Sequence, residues 1–292
     1  MLRVYFIYLD KMMNDTFYYA SNDAMFKMIF GDERDIGPLV AFLQATLDLP
    51  PEDYAEVSLV NPFLAHEHPN DKLGILDVRL RTASGKNIDI KIQIDNVTEI
   101  RELIVYYLSS MVTSQIGRGS DFQDTRRTIC ILIADFVLIP ENRSYRNRYR
   151  LYDPQTGSEF SDLLEVCALE LPKLPQDADG TALWDWLQFV VARKMEVLEM
   201  LTEKNPQVGK AVAKLVELNK DERARMIASS RERLRMDHAS QLRLAREEGR
   251  VKGREEERLS IARNLIFNFG MSVEVVARVT GLSREDIQTL LR

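Results

Sequence analysis

The stretch Asn87-Ile88-Asp89-Ile90-Lys91-Ile92-Gln93-Ile94-Asp95 alternates apolar and polar residues without a break. A β-strand points successive side chains to opposite faces, so the four isoleucines share one face. Asp89, Lys91, Gln93 and Asp95 share the other. Half-exposed antiparallel strands show this alternation. The run before it, Leu73 to Arg81, has the same period, with Leu76, Val78 and Leu80 on the apolar side and Asp77 and Arg79 on the polar side. The two runs are joined by Thr82-Ala83-Ser84-Gly85-Lys86, which reads as a hairpin turn. A turn centred on Ala83-Ser84-Gly85 sets Asp77 across from Lys91. A small register change sets it across from Asp89 instead. The polar face carrying Asp77, Asp89, Lys91 and Gln93 is the candidate functional centre.

Outward from the hairpin, the residues order themselves into helices and strands. Asn22 to Phe30 reads as a helix ended by Gly31, and Ile36 to Leu47 as a second helix stopped by Pro50 and Pro51. Val57 to Pro62 is a short extended piece. Thr98 to Ile116 reads as a helix, and Thr128 to Ile139 as a buried central strand. Arg143 to Asp153 and Leu163 to Leu171 read as two further strands. This order implies a mixed α/β sheet flanked by helices.

After Pro172 to Pro175 the texture changes. Ala182 to Leu201 is helical and apolar, and Val208 to Leu265 is dense in Arg and Glu. Asp221 to Asn264 holds 12 Arg and Lys against 9 Asp and Glu, so this segment is +3 in a chain of net charge −6. A charge run of this kind is the solvated face of a long helix. Ser272 to Leu291 reads as two short helices around Gly281, half a helix-turn-helix, suited to packing or oligomerisation as well as to groove reading. The expected division is an N-terminal extension over 1–14, a sheet domain over 15–175 and a helical region over 176–292. Residues 1–12 are expected to be an upstream extension ahead of Met13.

With 292 residues, 45% hydrophobic and 29% charged, the composition is that of a globular protein. Cys130 and Cys167 lie in apolar runs and read as buried thiols. His66, His68 and His238 are too scattered for a zinc site. No apolar stretch is long enough to span a bilayer, and the expected compartment is the cytoplasm. Net negative charge leaves room for nucleic acid bound in a local basic groove. Arg143 to Arg150, with Arg143, Arg146 and Arg148, interleaves basic and aromatic residues and is a candidate DNA contact or an arginine-bearing edge strand.

Four segments together resemble a known family: Asp23 to Asp32 (DAMFKMIFGD), Lys72 to Ile94, Arg101 to Phe122 and Leu169 to Pro175 (LELPKLP). They resemble the PD-(D/E)XK nuclease superfamily, and more closely the Rpn family of recombination-promoting nucleases, often described as transposases. The Arg/Glu/Gly-rich segment and TGLSREDI from Thr280 resemble that family's C-terminal region. The resemblance implies a PD-(D/E)XK nuclease-like fold with a helical C-terminal region. It also implies a Mg²⁺-dependent DNA endonuclease linked to recombination or transposition, with DNA as partner. Asp77 then matches the first metal-binding acid, and the family's Glu-x-Gln falls on Lys91-Ile92-Gln93.

Lys91 therefore stands where a carboxylate is expected. An ammonium offers only donors and cannot ligate Mg²⁺. Two outcomes stay open. In one, the nuclease is impaired and the fold serves to bind DNA or a protein partner. In the other, Asp89-Ile90-Lys91 is a displaced acid-x-lysine motif and Asp77 and Asp89 share the metal. Asp23, Lys27, Gln115 and Asp162 are secondary candidates by position. Homo-oligomerisation through the C-terminal helices is a further expectation.

Overall fold

The computed structural model describes residues 17–60, 78–94, 99–117, 119 and 121–290. Asp77, Asp95 and the 1–12 extension lie outside the described residues. The chain divides into two compact units, Met1–Arg231 and Glu232–Arg292.

In the first unit, α1 (Asp23–Phe30) starts at the Asn22 side chain, which accepts from the backbone N–H groups of Ala24 and Met25. α2 (Gly37–Thr46) follows, then β1 (Val57–Leu59), β2 (Val78–Thr82), β3 (Asn87–Gln93), α3 (Ile100–Thr113), β4 (Thr128–Ala134), β5 (Arg146–Tyr152) and β6 (Glu159–Glu170). The six strands form one mixed sheet in the order β1-β2-β3-β4-β6-β5. β3, β4 and β6 run parallel, while β1–β2, β2–β3 and β5–β6 are antiparallel. The expected α/β architecture is the observed one.

Residue alternation decides which side of the sheet each side chain meets. Ile88, Ile90 and Ile92, with Ile129, Ile131 and Ile133, enter the main core with Phe26, Phe30 and Phe42 of α1 and α2. That core is closed by α4 (Ala182–Val191), α5 (Met195–Lys204) and α6 (Pro206–Lys220), which supply Trp186, Phe189, Leu201 and Leu215. The opposite face is covered by Ile100, Ile104 and Leu108 of α3, packed on Cys130, Leu132 and Ala168. β4 is buried at every position because both faces are covered.

The turn between β2 and β3 is pinned from below. The buried Asp53 carboxylate accepts from Thr82 Oγ1 at 3.1 Å, from Lys86 Nζ at 2.7 Å and from the Ser84 hydroxyl. Gly85, at φ +84°, supplies the left-handed residue that closes it. This sets Arg79 across from Asp89 and Val78 across from Ile90. Asp77 itself lies outside the described part of this pair.

Two further boundaries differ from expectation. β4 ends at Ala134 rather than Ile139. The backbone there is held by side chains instead of a ladder: Glu170 accepts from the N–H groups of Leu138 and Ile139, and Arg101 donates to the Leu138 carbonyl. The expected domain boundary near 175 falls inside the first compact unit, because α4 to α6 close the sheet's own core.

Helix α7 (Glu222–Phe267) runs 46 residues. In the second unit, α8 (Val273–Thr280) and α9 (Arg284–Leu290) pack with the end of α7 around Ala262, Val276 and Ile287. Gly281, at φ +71°, ends α8. The two expected tail helices are present, and the end of α7 supplies a third.

Candidate functional site

The polar residues of β3 lie on the α3 side of the sheet. Helix α3 packs on this side of the sheet, so the face is covered rather than open. Asp89 is 1% exposed and Lys91 0%. The expected half-open polar face is therefore a buried polar layer. A charge taken from water is tolerated only when partnered, and both residues are. Arg79 Nε lies 3.4 Å from Asp89 Oδ1. The Lys91 ammonium stands 4.2 Å from the centre of the Tyr107 ring on α3, a cation–π placement. Gln93 is half-buried at the end of β3, and its backbone carbonyl accepts from the Asp135 N–H at 3.0 Å.

The secondary candidates divide by location. Gln115 spans the start of β4. Its Nε2 donates to the Arg126 carbonyl at 3.1 Å and to Thr128 Oγ1 at 3.0 Å, and its Oε1 accepts from the Arg126 N–H at 2.8 Å. Its amide is thus spent on holding the strand entry. Asp23 and Lys27 sit on α1, whose buried side chains join the isoleucine face, across the sheet from Asp89 and Lys91. Asp23 accepts from Arg231 Nε at 3.0 Å, tying α1 to the start of α7. Asp162 is mostly exposed and lies 3.5 Å from Arg127.

The arginines of the expected DNA contact meet acids. Arg146 and Arg148 both reach Asp48 Oδ2, at 2.9 and 2.7 Å. Arg143 is exposed ahead of β5. Beneath them, the fully buried Glu165 carboxylate accepts from Arg148 at 2.6 Å, from Arg150 at 2.7 Å and from Arg127. Burial pushes the Glu165 carboxyl up, but the three guanidinium groups outweigh it and hold the group below the usual range. Cys167, next on the same strand face, is pushed up to about 12 by burial and is a packed thiol, not a nucleophile. Glu165 and Asp48 were missed from sequence. The available signal was a glutamate inside the apolar run Leu163 to Leu169.

A family model described as PD-(D/E)XK nuclease family transposase matches residues 20–245. One described as Rpn/YhgA-like nuclease family, C-terminal HTH domain, matches residues 255–291. No curated protein and no solved structure matches the chain.

PD-(D/E)XK nucleases generally use divalent metal ions. Among the described residues, no group of three or more His, Cys, Asp or Glu could hold one. In the described parts of β2 and β3, Asp89 is the one carboxylate, and it stands between the cations Arg79 and Lys91. The described residues alone do not supply the several oxygen ligands that a divalent cation needs, and Asp77 lies outside them. Nor is any described helix long and apolar enough to cross a membrane.

Proposed function

This chain belongs to the Rpn-type PD-(D/E)XK nuclease family transposases, and on that premise we propose that it is a DNA-binding protein whose nuclease centre is impaired. DNA is its partner and the cytoplasm its compartment. The observation that carries this reading is Lys91: fully buried in β3, its ammonium over Tyr107, at the position where the family's carboxylate is expected. A charged amine there adds positive charge where hydrolysis calls for an acid, so binding outlives cleavage. The helix-turn-helix tail supports a role on DNA, since such a motif presents a helix to the major groove.

The test is plasmid DNA with purified protein and Mg²⁺ or Mn²⁺. Binding that weakens with salt, without nicking, is the expected result. Nicking that Asp77→Ala abolishes would overturn the reading. A second reading, a Mg²⁺-dependent endonuclease acting in recombination or transposition, draws support from the acid-x-lysine order of Asp89 and Lys91 on one strand face. Under that reading Asp77 and Asp89 are the metal-binding residues, and Gln93 a polar contact. Lys91→Glu separates the two. Gain of nicking fits the impaired centre, and loss of an existing activity fits the second.

A further inference from the structure

β5 is an edge strand of the sheet; Arg146, Arg148 and Arg150 alternate along it, and its pairing with β6 shifts between Tyr149 and Tyr152. The Tyr152 hydroxyl and the Arg150 guanidinium both donate to Glu159 Oε2, each at 3.2 Å, which brings Tyr152 onto the arginine side despite the strand irregularity before it. Tyr152 is 49% exposed.

Besides Glu159 at the Tyr152 end, two acids meet this row. Glu165 is fully buried and braces Arg148 and Arg150 from beneath. It can leave only at the cost of stranding those charges. Asp48 is different. Its side chain is 70% exposed, and one of its oxygens takes hydrogen bonds from two separate guanidinium groups. Two guanidinium groups converging on one oxygen is an arrangement that suits a phosphate oxygen. An exposed ion pair of this type is worth little, so its carboxylate is readily displaced.

We propose that this strand binds single-stranded DNA, with a backbone phosphate replacing the Asp48 carboxylate on Arg146 and Arg148 and a base stacking on Tyr152. Asp48 is thus an internal competitor that weakens binding until a phosphate arrives. Basic residues along a backbone with an aromatic platform beside them are how single strands are held without sequence readout. The proposal rests on the DNA-binding reading and adds to it a site distinct from the helix-turn-helix, together with the form of DNA that the site takes.

The test uses the full chain and a labelled oligothymidylate, followed by fluorescence anisotropy at several salt concentrations. Asp48→Asn is expected to bind about two- to five-fold tighter, the scale of losing an exposed ion pair. Arg146→Gln is expected to bind weaker by a similar factor, with a salt slope smaller by about 0.7 for the lost phosphate contact. Tyr152→Ala is expected to weaken binding at least about five-fold. In the Arg146→Gln background the gain from Asp48→Asn is smaller than in wild type, since only Arg148 still meets Asp48. Glu56→Gln, an exposed acid away from the arginine row, leaves affinity unchanged.

A gain from Glu56→Gln equal to that from Asp48→Asn, or a gain that persists undiminished in the Arg146→Gln background, would mean bulk charge and would overturn the proposal. Wild-type protein that binds duplex but not oligothymidylate would overturn it and leave the DNA reading standing. Wild-type protein that binds neither would overturn both.

Discussion

Glu165 is a single residue on which three arginines depend. Replacing it by glutamine keeps the volume but removes the charge that Arg127, Arg148 and Arg150 share. Breaking a buried ion pair from one side costs about 3–5 kcal/mol, so Glu165→Gln should lower the urea midpoint substantially at neutral pH. An unchanged midpoint would show that the arginines are satisfied elsewhere. The same carboxyl sets a pH dependence. Its folded pKa lies below the unfolded value of about 4.3. Its contribution is therefore complete above that value and is lost as pH falls through the folded pKa. Wild type and Glu165→Gln should converge in stability as the solution is acidified. At this scale the sequence was partly legible. The arginine row of RNRYR was visible as a basic stripe, but its partners come from Asp48 and from β6, and sequence spacing does not reveal contacts made about 100 residues apart. Lys91 was legible as a misplaced cation. That it lies under α3 against Tyr107 was not.

Elements were read well where periodicity alone decides them. The isoleucine face of β3 and the all-apolar run of β4 fell where alternation and β-branching put them. The polar face of β3 was read as half-open because alternation says which residues share a face and not whether a helix covers it. β4 was read past its end at Ala134 because Phe136 to Ile139 is equally apolar, and the hydrogen bonds that hold this segment off the ladder come from Glu170 and Arg101. The tail helices were legible from Gly281, whose left-handed φ of +71° ends α8. An L side chain there costs about 1–2 kcal/mol. The hydrophobic centre of this unit is small, built on the buried Ala262, Val276 and Ile287, so it has little stability in reserve. Gly281→Ala should lower the melting temperature of the 232–292 unit, read by far-UV circular dichroism on the full chain, while the transition of the first unit stays in place. A single transition shifted as a whole would contradict this.

At the scale of the whole molecule, the composition break after Pro175 invited a domain boundary that the packing does not respect. An apolar helix such as Ala182–Val191 needs a partner surface, and sequence does not say whether that surface is a neighbouring helix or the sheet behind it. Here it is both. Trp186 lies 5.5 Å from Phe30 and 6.1 Å from Phe42, ring centre to ring centre, and 6.2 Å from Phe189. A chain ending at Pro175 would leave the isoleucine face of the sheet and the rings of α1 and α2 without Trp186, Leu187, Phe189, Leu201, Val212 and Leu215. Burying each such large side chain is worth about 1.5–3 kcal/mol. Losing all of them removes much of the roughly 5–15 kcal/mol by which a domain is stable. The shortened chain should therefore fail to unfold cooperatively in urea and should bind a dye that senses apolar surface. A chain ending at Arg231 retains the whole core and the Asp23–Arg231 pair, so it should unfold in one cooperative transition. A cooperative transition of equal midpoint from both chains would mean that the sheet and α1 to α3 are a domain on their own, and that the boundary lies at Pro175 after all.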